Sequence, residues 1–118
     1  MNIQITYPGD RTKILVSSHS QCSGLVRLPS SFGDGKMTLF YRERGKDKWV
    51  EMGATGMLTT ITNPVPVSSQ DETFLVAFMA TRFAKVFEVY VRCENDGDMA
   101  IDSNVVAVEV VKNFQEMT

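Results

Sequence analysis

Histidine occurs once in this chain, at His19, and cysteine twice, at Cys22 and Cys93. A zinc centre needs three or four nitrogen or sulfur ligands close together, so histidine-based metal chemistry finds no support here. The cysteines stand 71 positions apart with no CxxC spacing, which also removes thioredoxin-type redox chemistry. No apolar run approaches the roughly 20 residues of a membrane helix. The stretch from Met1 to Asp10 lacks the basic start and apolar centre of a secretory leader. The expectation is therefore synthesis in the cytoplasm without secretion, no membrane association and reduced thiols, with Cys93 a buried structural thiol beside Val89 and Val91. A bridge between the sheets of a sandwich would overturn the reduced state.

Length limits the architecture. With 118 residues the chain can close one hydrophobic core but not two, which excludes a barrel of eight βα units or a two-halved dinucleotide fold. The apolar content, 43%, and the charged content, 22%, are those of an ordinary globular domain. Charge is uneven along the chain: residues 1 to 59 hold 8 Lys and Arg against 5 Asp and Glu, residues 60 to 118 hold 4 against 9. Such a chain can present complementary patches to copies of itself or to a partner, unless folding mixes the two halves in space, which is the expectation for a sandwich.

The dominant pattern is period-2 alternation between turn residues. Ile3, Ile5 and Tyr7 share one face of a first strand that ends at Pro8-Gly9-Asp10. Ile14 to Val16 reads as a short buried strand, Ser17 to Ser23 as a polar loop, and Leu25 to Leu28 as a further strand. Met37, Leu39 and Tyr41 oppose Thr38, Phe40 and Arg42, and the return through Trp49 to Met52 makes a hairpin. Met57 to Thr62 reads as a strand, whereas Asn63 to Val67, with two prolines, reads as extended and outside central pairing. Residues 73–82 are apolar on both faces. A strand of that kind is sandwiched within the fold or covered by a partner. Val86 to Cys93 alternates, Asn95 to Asp98 turns, and Val106, Val108 and Val110 face inward with Glu109 outward. Aromatic and β-branched content favours strand over helix between Phe74 and Phe87. The pattern predicts a single all-β domain over residues 1–112, an antiparallel β-sandwich or small barrel of immunoglobulin-like or jelly-roll type with about eight strands, followed by a polar tail at 113–118.

Several constellations invite a chemical reading. Ser17 to Cys22 gathers hydroxyls, an imidazole and a thiol, but neighbours in one loop rarely place nucleophile, base and orienting group in register, so a solvated loop is the simpler reading. Asn95, Asp96, Asp98 and Asp102 could offer oxygens to calcium, yet their order is not that of an EF-hand and a hairpin turn already explains them. Gly33-Asp34-Gly35-Lys36 lacks P-loop spacing. The segment 40–49 joins four cations to three aromatics, a composition suited to single-stranded nucleic acid, although Glu43 and Asp47 cut its net charge to +2 and the whole chain is acidic. Phe40, Trp49 and Tyr90 would serve a carbohydrate-binding module if they shared an exposed face.

Taken together, the residues point away from an enzyme and away from any cofactor or metal. They favour a structural or assembly protein that self-associates as a homo-oligomer or docks on a larger particle, with a virion component such as a capsid accessory or tail-associated protein as the setting. Phe40, Arg42, Arg44, Trp49, Leu75, Ala77, Met79 and Phe83 are the expected interface residues. A single-stranded nucleic-acid domain and a carbohydrate module remain as alternatives.

Overall fold

The computed structural model describes residues 2–51, 58–59, 65–67, 72–80 and 83–117, with the backbone alone described at 58, 59, 65, 72–79, 116 and 117. Eleven strands are present among these residues: β1 Asn2–Tyr7, β2 Thr12–Leu15, β3 His19–Arg27, β4 Gly35–Glu43, β5 Val50–Glu51, β6 Leu58–Thr59, β7 Val65–Val67, β8 Glu72–Met79, β9 Val86–Asn95, β10 Ala100–Asp102 and β11 Val106–Val111. Four of them are only two or three residues long, which accounts for the larger number than alternation alone suggests.

The strands form two sheets. The first has the order β1-β3-β8-β6; the second has β2-β11-β9-β4-β5, with β10 also on β9 and β7 also on β4. Pairing is antiparallel except between β2 and β11, which run parallel because the chain crosses from the first sheet to the second after β1 and enters beside the last strand. Inward residues of both sheets make one core: Ile3, Ile5, Cys22 and Val26 from the first meet Met37, Leu39, Val89, Val91, Val108 and Val110 from the second. Fully burying a side chain of this size contributes about 1.5 to 3 kcal/mol, so this shared interior is the main driving force for stacking the sheets.

Four local expectations change. Tyr7 is 47% exposed rather than inward, because the β1–β3 register shifts between Ile5 and Tyr7 and turns the side chain out. Ser17 to Ser23 is not a loop: from His19 onward it is strand β3, paired with β1 on one side and β8 on the other. Polarity misleads there because Gln21 and Ser23 face away from the interior while Cys22 is fully buried. Val65 to Val67 does pair, with Gly35 to Met37 of central strand β4, but as an outer strand, where proline is tolerated. On β11, Ala107 and Val111 are buried along with the inward valines, so this strand is covered on both faces.

Strand β8 holds the residues that the sequence marks as apolar on both sides. Its backbone lies between β3 and β6, with Leu75 opposite Ser23, Ala77 opposite Gln21 and Met79 opposite both His19 and Leu58. The side chains of Leu75, Ala77 and Met79 lie outside the described residues, as do Asn63, Pro64, Thr81 and Arg82. Beyond β11, Phe114–Met117 forms a 3-10 turn. No helix among the described residues is long and apolar enough to cross a membrane.

Candidate protein-interaction surface

Alternation along β4 and β9 sends one set of side chains to the core and the other to the outer face of the second sheet. The outer set is Thr38, Phe40 and Arg42 on β4 and Glu88, Tyr90 and Arg92 on β9. Antiparallel register aligns them in rows: Thr38 with Arg92, Phe40 with Tyr90, Arg42 with Glu88. The hairpin to β5 brings Trp49 over the same rows, since Tyr41 pairs with Val50.

The result is a connected aromatic and cationic cluster. Phe40 and Tyr90 stack with ring centroids 5.3 Å apart and planes 16° apart. Trp49 meets Tyr90 edge-on at 4.6 Å. The Arg42 guanidinium lies 4.2 Å from the Trp49 ring centroid and donates from Nε to Glu88 Oε1 at 3.0 Å. On the other side of the aromatic row, Arg92 donates to both oxygens of Asp102, at 2.6 and 3.0 Å. That bidentate bond holds the Arg92 guanidinium more firmly charged than usual. Burial raises the Tyr90 phenol above its ordinary range; Arg92 works against this, while Asp102 and Glu94 add to it. Tyr90 is only 9% exposed, so Phe40, Trp49 and Arg42, each half-buried, form the accessible top of the cluster.

The expected interface residues therefore separate. Phe40, Arg42 and Trp49 come together on one face. Arg44 leaves it and lines a notch at the end of the sheet with Arg11. Phe83, 62% exposed, lies in the β8–β9 connection with the Lys85 ammonium 5.8 Å from its ring. Leu75, Ala77 and Met79 belong to the other sheet. Tyr90, Glu88, Arg92 and Asp102 were not among the expected interface residues, although the outward half of the β9 alternation points to the first three.

Other candidates resolve structurally. His19 is exposed on β3, whereas Cys22 is buried on the same strand and Ser18 Oγ donates to Leu15 O at 2.6 Å, so these groups do not converge. The Asn95 side chain accepts from Gly97 and Met99 amides and donates to the Phe32 carbonyl, which makes it the organiser of its turn. No group of three or more His, Cys, Asp or Glu residues among the described residues could hold a metal ion. Cys22 and Cys93 are not joined in a disulfide and both are fully buried, and burial pushes the Cys22 thiol up to about 12.

No family model matches the chain. No curated protein matches it either. A solved structure that does match is the class 5 fimbriae chaperone CfaA, with 11% identity and a TM-score of 0.53 over 92% of this chain and 55% of the chaperone chain. The fold is an immunoglobulin-like β-sandwich. The chain thus spans about half the length of that chaperone. Extracellular domains 3–5 of Drosophila OTK align at 16% identity and a TM-score of 0.45, over 94% of this chain and 36% of theirs.

Proposed function

We propose that this immunoglobulin-like domain is a non-enzymatic assembly protein that binds protein through the outer face of β4, β5 and β9. The observation that carries the reading is the Phe40–Tyr90–Trp49 cluster with Arg42 on top and ion pairs on either side. Tryptophan, tyrosine and arginine are the residue types that most often dominate binding energy at protein interfaces, and rings already locked against one another lose little entropy when a partner covers them.

The same geometry weighs against the alternatives. A sugar or a nucleobase needs a free ring face to stack on. Here Phe40 and Tyr90 use faces on each other and the guanidinium of Arg42 lies over Trp49. Arg42 is further tied to Glu88, which lowers its value for a phosphate.

The partner in this reading is a second copy of the chain, with docking on a larger particle such as a virion as its finer form. The two ion pairs, Arg42–Glu88 and Arg92–Asp102, flank the aromatic row, so a two-fold through Phe40 and Tyr90 sets each pair of one copy against the other pair of its mate. Analytical ultracentrifugation is expected to show a dimer at micromolar concentration that persists at high salt. Trp49→Ala with Tyr90→Ala should weaken it at least tenfold while the circular dichroism of the sheet is retained. A wild type that stays monomeric to about millimolar concentration, the weak limit of specific affinity, overturns the reading.

A further inference from the structure

The charge imbalance between the halves of the sequence becomes, in the fold, an imbalance between the two ends of the sandwich. β4 and β9 are antiparallel, with Gly35 opposite Asn95 at one end and Glu43 opposite Phe87 at the other. The ten residues of β9 span about 33 Å at strand rise, which separates the two ends. At the Gly35–Asn95 end, Asp34, Glu94, Asp96 and Asp98 gather around the β9–β10 turn, with Lys36 beside them. At the opposite end, Arg11, Arg44, Lys46, Lys48 and Lys85 are all exposed. Four acidic groups share this end: Glu43 binds Lys85, an Asp10 carboxylate oxygen accepts from the Ala107 amide at 2.9 Å, Asp47 lies between Lys46 and Lys48, and Glu109 lines the Arg11–Arg44 notch. The excess of positive charge is therefore small and rests on Arg11 and Arg44.

The basic end also has a shaped receptor. Arg11 and Arg44, with Val86, Ala107 and Glu109, line a notch of about 40 Å³, enough for a carboxylate head group in place of one ordered water. The backbone beneath it is held at both arginines. Arg11 adopts φ 64, a left-handed conformation unusual for a long side chain, and its amide donates to Ala107 O at 2.7 Å. Arg44 is set by its own amide, which donates to Val86 O at 2.9 Å. Neither guanidinium has a side-chain partner among the described residues.

We propose that copies of this chain bind end to end, the acidic β9–β10 turn of one copy seating a carboxylate of Asp96 or Asp98 in the Arg11–Arg44 notch of the next. This deepens the assembly reading with a second surface. The contact joins different patches, so it is heterologous and generates rings or open chains rather than closed dimers. Opposite exposed charges steer and hold it, which makes it sensitive to salt where the aromatic face is not.

The experiment uses two full-length variants, Arg11→Glu with Arg44→Glu and Asp96→Lys with Asp98→Lys, both built on Trp49→Ala with Tyr90→Ala so that the aromatic face is silent. Light scattering at about 50 mM salt is expected to show chains for the parent, monomers for each charge-reversed variant alone, and recovered association when the two are mixed; about 500 mM salt should dissolve all of them. Recovery on mixing also shows that both variants are folded. A parent that is monomeric at low salt, charge-reversed variants that still form chains, or folded variants that fail to associate on mixing overturn the proposal. The parent's behaviour separates this result from the fate of the aromatic face. Chains formed by the parent with the aromatic dimer lost, and the reverse, are distinct outcomes.

Discussion

Single residues on this scaffold take their character from which side of the sheet they face. Tyr90 and Val91 are neighbours in sequence, yet one belongs to the outer cluster and the other to the interior. Gly24 needs its missing side chain, because a Cβ there would run into the Gln4 carbonyl of β1. Cys22 shows the same dependence in its chemistry: enclosed by apolar neighbours, its thiol ionises only at about 12 against the ordinary 9.0. Up to the ordinary value the thiol is neutral in both folded and unfolded chains, and stability from this group is level. Above it the unfolded chain loses the proton first, so stability is expected to fall as pH rises from 9.0 towards about 12. Urea melts across that range for wild type and Cys22→Ala check this, the variant lacking that part of the slope. Thiol reagents at pH 8 should leave Cys22 unmodified until denaturant is added, and rapid native labelling would contradict its burial.

Among the elements, β1 shows how an edge is closed. Its partner β3 covers one side, and the far side would expose backbone groups to any passing strand. Asn104, in the break between β10 and β11, supplies the missing partner: its Oδ1 accepts from the Ile5 amide at 2.8 Å and its Nδ2 reaches the Ile5 carbonyl at 3.5 Å. Ser103 holds that break in place, its backbone amide donating to Val91 O and its Oγ accepting from Val91 N, each at 2.9 Å. Asn104→Ala leaves the Ile5 amide without its acceptor and is expected to cost about 1 to 3 kcal/mol in urea melts. Hydrogen exchange at Ile5 should accelerate selectively, and an unchanged rate there would show that the side chain does not pin the strand. Element limits were legible wherever alternation was clean, as in β4, β9 and β11. They were not legible in β3, because serine, glutamine and histidine on its outer side look like a loop until the pairing with β1 and β8 is known.

For the whole molecule, the last strands close on the first. Asn104 reaches Ile5, Asp10 reaches the Ala107 amide, and β2 lies beside β11. Contacts between such distant parts of the chain require large loops to close before any stabilising contact is made, so refolding is expected in milliseconds to seconds, as for other β-sandwiches. Stopped-flow tryptophan fluorescence from Trp49 measures this, and microsecond folding would contradict the dominance of non-local pairing. Composition and alternation on their own determined the all-β class, the single core, the inward valines and the turn at Asn95, because each rests on local periodicity and turn chemistry. Only the tertiary structure decided that Tyr90 joins Phe40 and Trp49, that Arg44 departs to sit with Arg11, and that Asp34 gathers with Glu94 and Asp96 at the other end of the sheet. Those relations depend on strand order and register, which bring together residues far apart in the chain and which no local pattern encodes.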